Sequence, residues 1–339
     1  MTAITRFAAG VLMAAALAFG VHRAEAAPAK ITIAQTSAAI GFTPVSIAQD
    51  EGFFKKNGID ADITIVSHGD SSTIAALHSG DVQFGAMTLV PALQAMAHGE
   101  KLLFVSPFVR EFVIQFVINP AAAKKIGLTP NMPLKERFER AKGLTVGTLD
   151  VGGGLDLMFR AMVTQYGLNP QTDYTETSIN SYPSLLLSCK RGQIDIALTA
   201  IPFGRMGVAD EGLKMFADFW GGEVPEFNGL IHQGMVVPAD YAKAHPDVVR
   251  RMHKALDEAL IFMHKHPNET VADLHKRYDK LPVPILRSFI VGDAKSYASR
   301  AIFDRKGFDM VRDFTAKHLM AQVAEIKYDA VVIPEARQK

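Results

Sequence analysis

Cysteine is almost absent from this sequence, and its scarcity removes several classes of protein. Cys189 is the only cysteine among 339 residues. A single cysteine cannot form an intramolecular disulfide, a CxxC redox motif or a cysteine-built metal centre. No cysteine comes directly after the apolar N-terminal segment, so we also expect no bacterial lipoprotein anchor. The core alone must stabilise the fold, and a chain of this length can bury an adequate one.

Net charge is also nearly absent. The chain has 36 basic and 35 acidic residues, which gives a formal charge of +1, and 48% of its residues are hydrophobic. Such a composition excludes intrinsic disorder. Because a nearly neutral chain produces no large electrostatic field, we expect no nucleic-acid partner. Any charged ligand must be recognised by a few specifically positioned polar or charged groups.

The specific enzyme motifs are missing as well. The sequence contains no GxxxxGK[ST], no GxGxxG after a strand, no GxSxG and no HExxH. Its 11 histidines are scattered, and the nearest pair, His264 and His266, occupies alternate helical positions that do not share a face. We therefore predict no catalytic residue, no metal site and no cofactor.

The N-terminus is typical of a secretory signal peptide. Arg6 precedes an apolar stretch from Phe7 to Val21, and Ala24-Glu25-Ala26 supplies the small-x-small pattern of a signal peptidase site. The alternative is a membrane anchor, but the apolar run of about 15 residues is short of the roughly 20 that a spanning helix needs. We expect cleavage after Ala26 and a protein that is free in the periplasm.

Strand-like and helix-like patterns alternate over the first two thirds of the chain, which predicts an α/β fold with mostly parallel sheets. From about Ala239 the pattern becomes helical. An amphipathic helix is expected over 247–266, and shorter helices are expected within 268–276, 285–301 and 308–319. Their methionine and phenylalanine stripes indicate core packing rather than cofactor contacts.

Two segments of the sequence resemble each other, and we call this internal similarity the internal echo. Residues 75–85 and 186–196 each read as an apolar helix end, a glycine cap and a strand, with Gly80 and Gly192 in equivalent places. Any helix–glycine–strand joint has this appearance. The alternative is that the two segments belong to two similar α/β units that face each other.

Turns rich in glycine and hydroxyl residues follow five of the predicted strands. They are 36–42, 67–73, 87–89, 150–155 and 199–203. In open α/β sheets, ligands bind beyond the carboxyl ends of the strands, where helix N-termini offer free N–H groups. The turns therefore predict a site for an anion or a polar head group. The alternative for Gly152-Gly153-Gly154 alone is a merely flexible turn.

At these positions the chain resembles the nitrate/sulfonate/taurine-type solute-binding proteins of ABC importers, a group related to the thiamine-pyrimidine-precursor binding proteins. The resemblance covers most of the chain after residue 27. The ordered motifs that carry it are 41–44, 51–59, 76–82, 143–147, 192–196 and 245–249.

This resemblance implies a type II periplasmic binding protein fold, in which two α/β lobes are joined by two crossover strands and the ligand binds between them. Lobe I would comprise residues 27–107 and 241–339, and lobe II residues 108–240. It also implies a monomer that captures a small organic anion and delivers it to an inner-membrane ABC permease with its ATPase.

Carried over by position, the resemblance implies a cleft lined from both lobes. Arg110 is the candidate counter-ion, with a surface role as its alternative, and Trp220 would either stack on the ligand or fill the hinge. The other residues expected at the site are Ile40, Gly41, Phe42, His68, Gly69, Asp70, Ser71, Met87, Thr88, Gly153, Gly154, Leu155, Tyr182, Thr199 and Pro202. Because apolar positions are prominent and lobe II offers a glycine run rather than serines, the expected ligand is a larger, partly apolar anion, sulfonate- or carboxylate-like and possibly an aromatic acid.

Two alternatives use the same fold. An exported sensor would present its ligand to a signalling receptor instead of a permease. A thiamine-pyrimidine synthase-like enzyme would need the cysteine-rich iron motif of that family, and a chain whose only cysteine is Cys189 cannot supply it.

Overall fold

The computed structural model describes residues 27–224, 229–292 and 296–338, and the expected signal peptide with its cleavage point after Ala26 lies outside them. Ten strands are formed within these ranges. They are β1 (Ala29–Gln35), β2 (Ile59–Ile65), β3 (Phe84–Thr88), β4 (Leu102–Val109), β5 (Ile114–Ile118), β6 (Thr145–Thr148), β7 (Thr175–Ser178), β8 (Ile196–Ala200), β9 (Lys214–Asp218) and β10 (Gln233–Pro238).

Helices separate most of the strands and make up the C-terminal region. They are α1 (Thr43–Asp50), α2 (Phe53–Lys56), α3 (Gly69–Ser79), α4 (Leu89–Ala97), α5 (Pro120–Lys125), α6 (Leu134–Arg140), α7 (Gly154–Gln165), α8 (Tyr182–Lys190), α9 (Phe203–Glu211), α10 (Ala239–Ala244), α11 (Pro246–Lys265), α12 (Pro267–Arg277), α13 (Val283–Arg287), α14 (Arg305–His318) and α15 (Tyr328–Val331).

Local sequence explains where several of these helices begin. The side chains of Asn119, Ser181 and Asp304 accept hydrogen bonds from the first-turn N–H groups of α5, α8 and α14, respectively. Pro44 lies in the first turn of α1, where the N–H that proline lacks has no helical partner in any case.

The strands form two five-stranded sheets of the same design. The first sheet has the order β2-β1-β3-β10-β4, and the second has the order β7-β6-β8-β5-β9. In each sheet the first three strands pair in parallel, and the fourth runs antiparallel to both of its neighbours. The expected pair of α/β lobes is confirmed.

The chain passes twice between the sheets. It leaves the first sheet after Val109 and enters the second at Ile114, and it returns between Asp218 and Gln233. Each passage ends in the antiparallel strand of the sheet it enters. Strand β10 pairs with β3 and β4 of the first sheet, although the expected division assigns residues 233–238 to lobe II.

The internal echo corresponds to equivalent positions of the two sheets. Gly80 follows α3 and leads to β3, and Gly192 follows α8 and leads to β8. Both glycines adopt positive φ angles, 81° and 72°, which an L side chain rarely takes. Two similar units, rather than a chance resemblance of joints, therefore account for the echo.

The C-terminal helices pack on the first lobe. Helix α11 packs against α1 and β4, and α14 packs against α4. The expected apolar stripe of α11 is buried throughout, from Val248 to Met263, which confirms it as core.

One expected helix differs from the structure. The segment 285–301 forms α13 only as far as Arg287 and then a π-helical turn, Ser288–Gly292. The helix expected within 285–301 is thus confined to the start of that segment, and Tyr297 forms an antiparallel bridge with Val109. The hydroxyl of Tyr297 donates to the carbonyl of Ile40, which ties this segment to the first lobe.

Candidate functional site

A cavity of about 40 Å³ lies where the two sheets face each other, at the carboxyl ends of their parallel strands. The carboxyl end of each parallel strand, or the turn after it, contributes at least one lining residue, and the helices α3, α7 and α8 begin there. The lining residues are Thr36, Ser37, Gly69, Asp70, Thr88, Thr148, Leu149, Asp150, Gly153, Gly154, Leu155, Tyr182, Ala200, His232 and Gln233. The cavity is therefore built by both lobes, as the strand-end turns predict.

Asp70, in the first turn of α3, is the most deeply buried acid of this lining, with 5% of its surface exposed. One carboxylate oxygen accepts the backbone N–H of Thr88 at 3.0 Å, and the other accepts the Thr88 hydroxyl at 2.7 Å. The second oxygen also accepts the N–H of Gly154 from the facing lobe at 2.9 Å. Burial raises the pKa of Asp70, while these hydrogen bonds oppose the rise.

Asp150 forms the reciprocal contact, from the second lobe to α3 of the first lobe. This residue precedes α7 in the second lobe, and its carboxylate accepts the N–H of Ser71, in the first turn of α3, at 3.0 Å. Each of the two helices thus has its N-terminus capped by an aspartate from the other lobe. Carboxylates stabilise helix N-termini because the free N–H groups there carry partial positive charge.

Gly154 is needed for this close approach. A Cβ placed on it would clash with the hydroxyl of Thr88 and would lie 3.1 Å from the Asp70 carboxylate. The glycine run is therefore a place where the lobes touch, and a flexible turn does not account for it.

Tyr182 begins α8 and is buried at the cavity wall. Its ring stacks on that of Phe203, with the centroids 4.1 Å apart and an interplanar angle of 18°. Burial raises its pKa, and hydrogen bonds from the Ser37 side chain and the Ala200 backbone oppose the rise. Since Ser37 follows β1 of the first lobe, the Tyr182 hydroxyl supplies a third contact across the lobes.

His232 and Gln233 enter the cavity from the start of β10. Both are almost fully buried, with 2% and 3% of their surfaces exposed. The His232 Nδ1 and the Gln233 Oε1 have no hydrogen-bond partner in the structure. The His232 ring packs edge-on against Phe112, with the centroids 4.9 Å apart, and burial lowers its pKa to about 3. This histidine is consequently neutral at physiological pH.

Of the residues expected at the site, seven line the cavity: Gly69, Asp70, Thr88, Gly153, Gly154, Leu155 and Tyr182. Ser71 adjoins it through its bond with Asp150. The remaining expected residues lie outside the lining, and for them a ligand role stays a prediction. They are Ile40, Gly41, Phe42, His68, Met87, Arg110, Thr199, Pro202 and Trp220.

The structure gives several of these outlying residues other partners. Arg110, the expected counter-ion, forms an ion pair with Asp304 at 2.9 Å. Trp220 packs against Phe289, with the centroids 5.0 Å apart, and lies under the Arg205 guanidinium. The hydroxyl of Thr199 donates to the backbone of Gln115.

Other expected residues outside the lining belong to the core or to the turns at the strand ends. Phe42 and Met87 are fully buried in the core. Gly41 packs against the side-chain amide of Gln233, where no Cβ would fit. His68 lies at the start of α3 with φ of 60°, and its side chain is exposed. Pro202 follows a cis peptide bond at the end of β8.

Eight lining residues are absent from the set expected from sequence: Thr36, Ser37, Thr148, Leu149, Asp150, Ala200, His232 and Gln233. Four of them, Thr36, Ser37, Asp150 and Ala200, fall inside the strand-end turns that the sequence did indicate. His232 and Gln233 have no local signal, because β10 is buried along nearly its whole length and shows no alternation of apolar and polar residues.

Charged groups at the cavity are of one sign. The described lining contains two aspartates and neither lysine nor arginine. Among the described residues there is no cluster of three metal-ligating side chains. A search of the same residues finds no helix with the length and apolarity of a membrane span.

The architecture defines a class: a two-lobed substrate-binding protein fold with its cavity between the lobes. A sequence model of the NMT1/THI5-like family matches residues 39–270, and the chain belongs to that family. At the level of full sequences, no curated protein matches it.

Solved structures show the same fold at low sequence identity. The alkanesulfonate-binding protein SsuA from Xanthomonas axonopodis pv. citri, bound to MOPS, has a TM-score of 0.67 and 18% identity, over 92% of this chain and 99% of that one. The periplasmic nitrate-binding protein NrtA from Synechocystis has a TM-score of 0.67 and 15% identity, over 91% and 87%. A Candida albicans protein described as having the generic periplasmic binding protein fold has a TM-score of 0.68 and 13% identity, over 92% and 98%.

Proposed function

We propose that this protein is the solute-binding component of an ABC importer. In this role it captures a small solute between its lobes in the periplasm and delivers it to an inner-membrane permease with its ATPase. One observation carries the proposal: helix N-termini and polar strand-end turns from both lobes converge on a single cavity. Family membership supports the proposal, and so do the alkanesulfonate-binding and nitrate-binding proteins that share the fold.

The size of the cavity implies that capture involves motion of the lobes. A volume of about 40 Å³ holds a few waters, which is too little for an aromatic acid. Direct contacts such as Asp70 to Gly154 close the cleft at its centre. We therefore propose that the solute enters an open form, and that binding shifts an equilibrium towards closure.

We also propose that the protein is not an enzyme. The structural relatives SsuA and NrtA are binding proteins. Cys189 is buried, and burial raises the pKa of its thiol to about 12, so it serves neither as a nucleophile nor as an iron ligand. A sensor that shares this capture step remains the alternative.

We take the protein to be an exported monomer, and lobe II to end before β10, since that strand pairs in the first sheet. The resemblance favours an organic anion as the solute, whereas the cavity offers no cationic side chain among its described lining residues.

The capture step can be tested with a variant that blocks closure. In Gly154→Leu the new side chain collides with Thr88 and Asp70, so we expect solute binding to be lost and the free energy of unfolding to change little. Binding is measured by native mass spectrometry of protein purified from the periplasm and by thermal shift, and closure by small-angle scattering with and without the solute.

Ala272→Leu is the matched control, because it adds the same side chain to an exposed position of α12. This variant should bind like the unaltered protein. Unchanged solute affinity in Gly154→Leu would show that solutes do not bind in this cleft, and the proposed function would then lose its main support.

A further inference from the structure

Two aspartates occupy the positions that helix N-termini normally offer to a bound anion. Asp70 accepts the N–H of Gly154, the first residue of α7, and Asp150 accepts the N–H of Ser71 in α3. Both helices exceed ten residues, so each has a full N-terminal turn. Because each cap comes from the facing lobe, closing the cleft adds a second carboxylate to each helix end, beside Asp70 in the first turn of α3 and Asp156 in that of α7.

A free anion that enters the closed cleft would meet these carboxylates without compensation. The described lining supplies no lysine or arginine, and its single histidine is neutral because burial lowers the pKa of His232 to about 3. Arg110 is held outside the lining by Asp304. The repulsion between the two aspartates already raises the pKa of Asp70, in addition to the effect of burial.

Two further groups indicate what kind of solute would fit. Gln233 and His232 line the cavity, are at least 97% buried, and each has a polar atom without a hydrogen-bond partner. The Gln233 Oε1 is an acceptor only, so a solute N–H group that reaches it would supply the hydrogen bond that it lacks. A buried acceptor without a partner is costly, which gives a donor-bearing solute a specific advantage.

We propose that the solute presents a cationic, N–H-donating group, an ammonium or amidinium, to this cavity, and that free anions are excluded from the closed form. Asp150 supplies the counter-charge, Gln233 accepts a hydrogen bond, and the neutral His232 completes the polar wall. This inference rests on the proposed function, and it replaces the organic anion that the sequence leads us to expect.

Charge-matched solute pairs test the proposal. Benzamidine and benzoate have nearly the same planar shape and opposite charge, and butylamine with butyrate forms an aliphatic pair. We expect the two bases to raise the melting temperature by a few degrees at saturating concentration and the two acids to leave it unchanged.

Substitution at Asp150 should reverse this preference. In Asp150→Asn the counter-charge is removed, so we expect the dissociation constant for the bases to rise by about tenfold or more. In Asp150→Ala the N–H of Ser71 is freed as well, so we expect ethanesulfonate to begin to bind. Asp62→Asn is the control, because Asp62 is an exposed acid on β2 outside the cavity. The affinity of this variant for the bases should be unchanged.

Failure of this inference is distinguishable from failure of the proposed function. Binding of the acids to the unaltered protein, with no effect of Asp150→Asn, would overturn the cationic solute and leave solute capture intact. Binding of neither set would also overturn it. In that case the proposed function would stand only if native mass spectrometry found another solute that Gly154→Leu no longer holds.

Discussion

The carboxylate of Asp70 and the backbone N–H of Gly154 lie 2.9 Å apart and belong to different lobes. The acid also binds both the N–H and the hydroxyl of Thr88, at the start of α4, so one buried side chain connects the N-termini of two helices across the cleft. No separate hinge or lid is needed to explain how the lobes recognise each other. Their helix ends and acids are complementary.

Asp70→Asn should weaken this connection. The amide offers one oxygen where the carboxylate accepts three donors, so at least one N–H is left facing an amide NH₂. We expect the free energy of unfolding to fall by about 1.5–3 kcal/mol, the usual range for buried hydrogen bonds to a charged group. Chemical denaturation measures this loss, with Asp62→Asn as the exposed control. A fall below about 0.5 kcal/mol would contradict the role assigned to Asp70.

Glu176 should make the protein less stable as the pH rises. Burial raises its pKa to about 7, and the nearby Asp156 contributes, while Arg160 opposes the rise. Between pH 4.5 and 7 the folded state therefore binds a proton that the unfolded state has lost, so the free energy of unfolding declines over this window and is constant above it. The expected decline is about 1–2 kcal/mol, since solvent and Arg160 screen part of the effect.

The matched variant is Glu176→Gln, which cannot lose a proton. Its stability should show no decline between pH 4.5 and 7 when urea unfolding is followed across that range. If the unaltered protein and the variant gave parallel curves, Glu176 would have an ordinary pKa and the coupling with Asp156 would be absent.

His232 should have the opposite effect on stability. Burial lowers its pKa to about 3, against 6.5 in the unfolded chain. Below pH 6.5 the histidine binds a proton in the unfolded state but not in the folded state. The free energy of unfolding therefore falls as the pH decreases, by about 2 kcal/mol at pH 5. In His232→Gln this acid-side loss should disappear. Titration of the imidazole by NMR provides a direct check, and a midpoint near 6.5 in the folded protein would refute the prediction.

Much of the architecture could be predicted from the sequence. The alternation of strand and helix patterns over the first two thirds of the chain, with glycine caps such as Gly80 and Gly192, indicated the α/β class and the two similar units. The strand-end turns indicated the edge at which the cavity forms. These features depend on neighbouring residues in the chain, which is why local periodicity and turn chemistry reveal them.

Strands β9 and β10 could not be predicted in this way. Both are short, and β10 is buried along nearly its whole length, so neither shows an alternating pattern. Arg110 illustrates a related difficulty. Its position near the first crossing indicated a ligand role, but its partner, Asp304, is distant in sequence and is brought close only by the fold.

The α/β class, the two-unit organisation and the polar turns at the strand ends all follow from the order of residues along the chain, because each depends on local backbone preferences and hydrophobic periodicity. The chemistry of the site, by contrast, depends on how the folded chain brings distant residues together. The insertion of β10 between β3 and β4 brings His232 and Gln233 to the cavity. Because the lobes face each other, Asp70 contacts the N-terminus of α7 and Asp150 contacts the N-terminus of α3. Such pairings join residues far apart in the chain, and burial, hydrogen bonding and charge act on them only once the chain has folded.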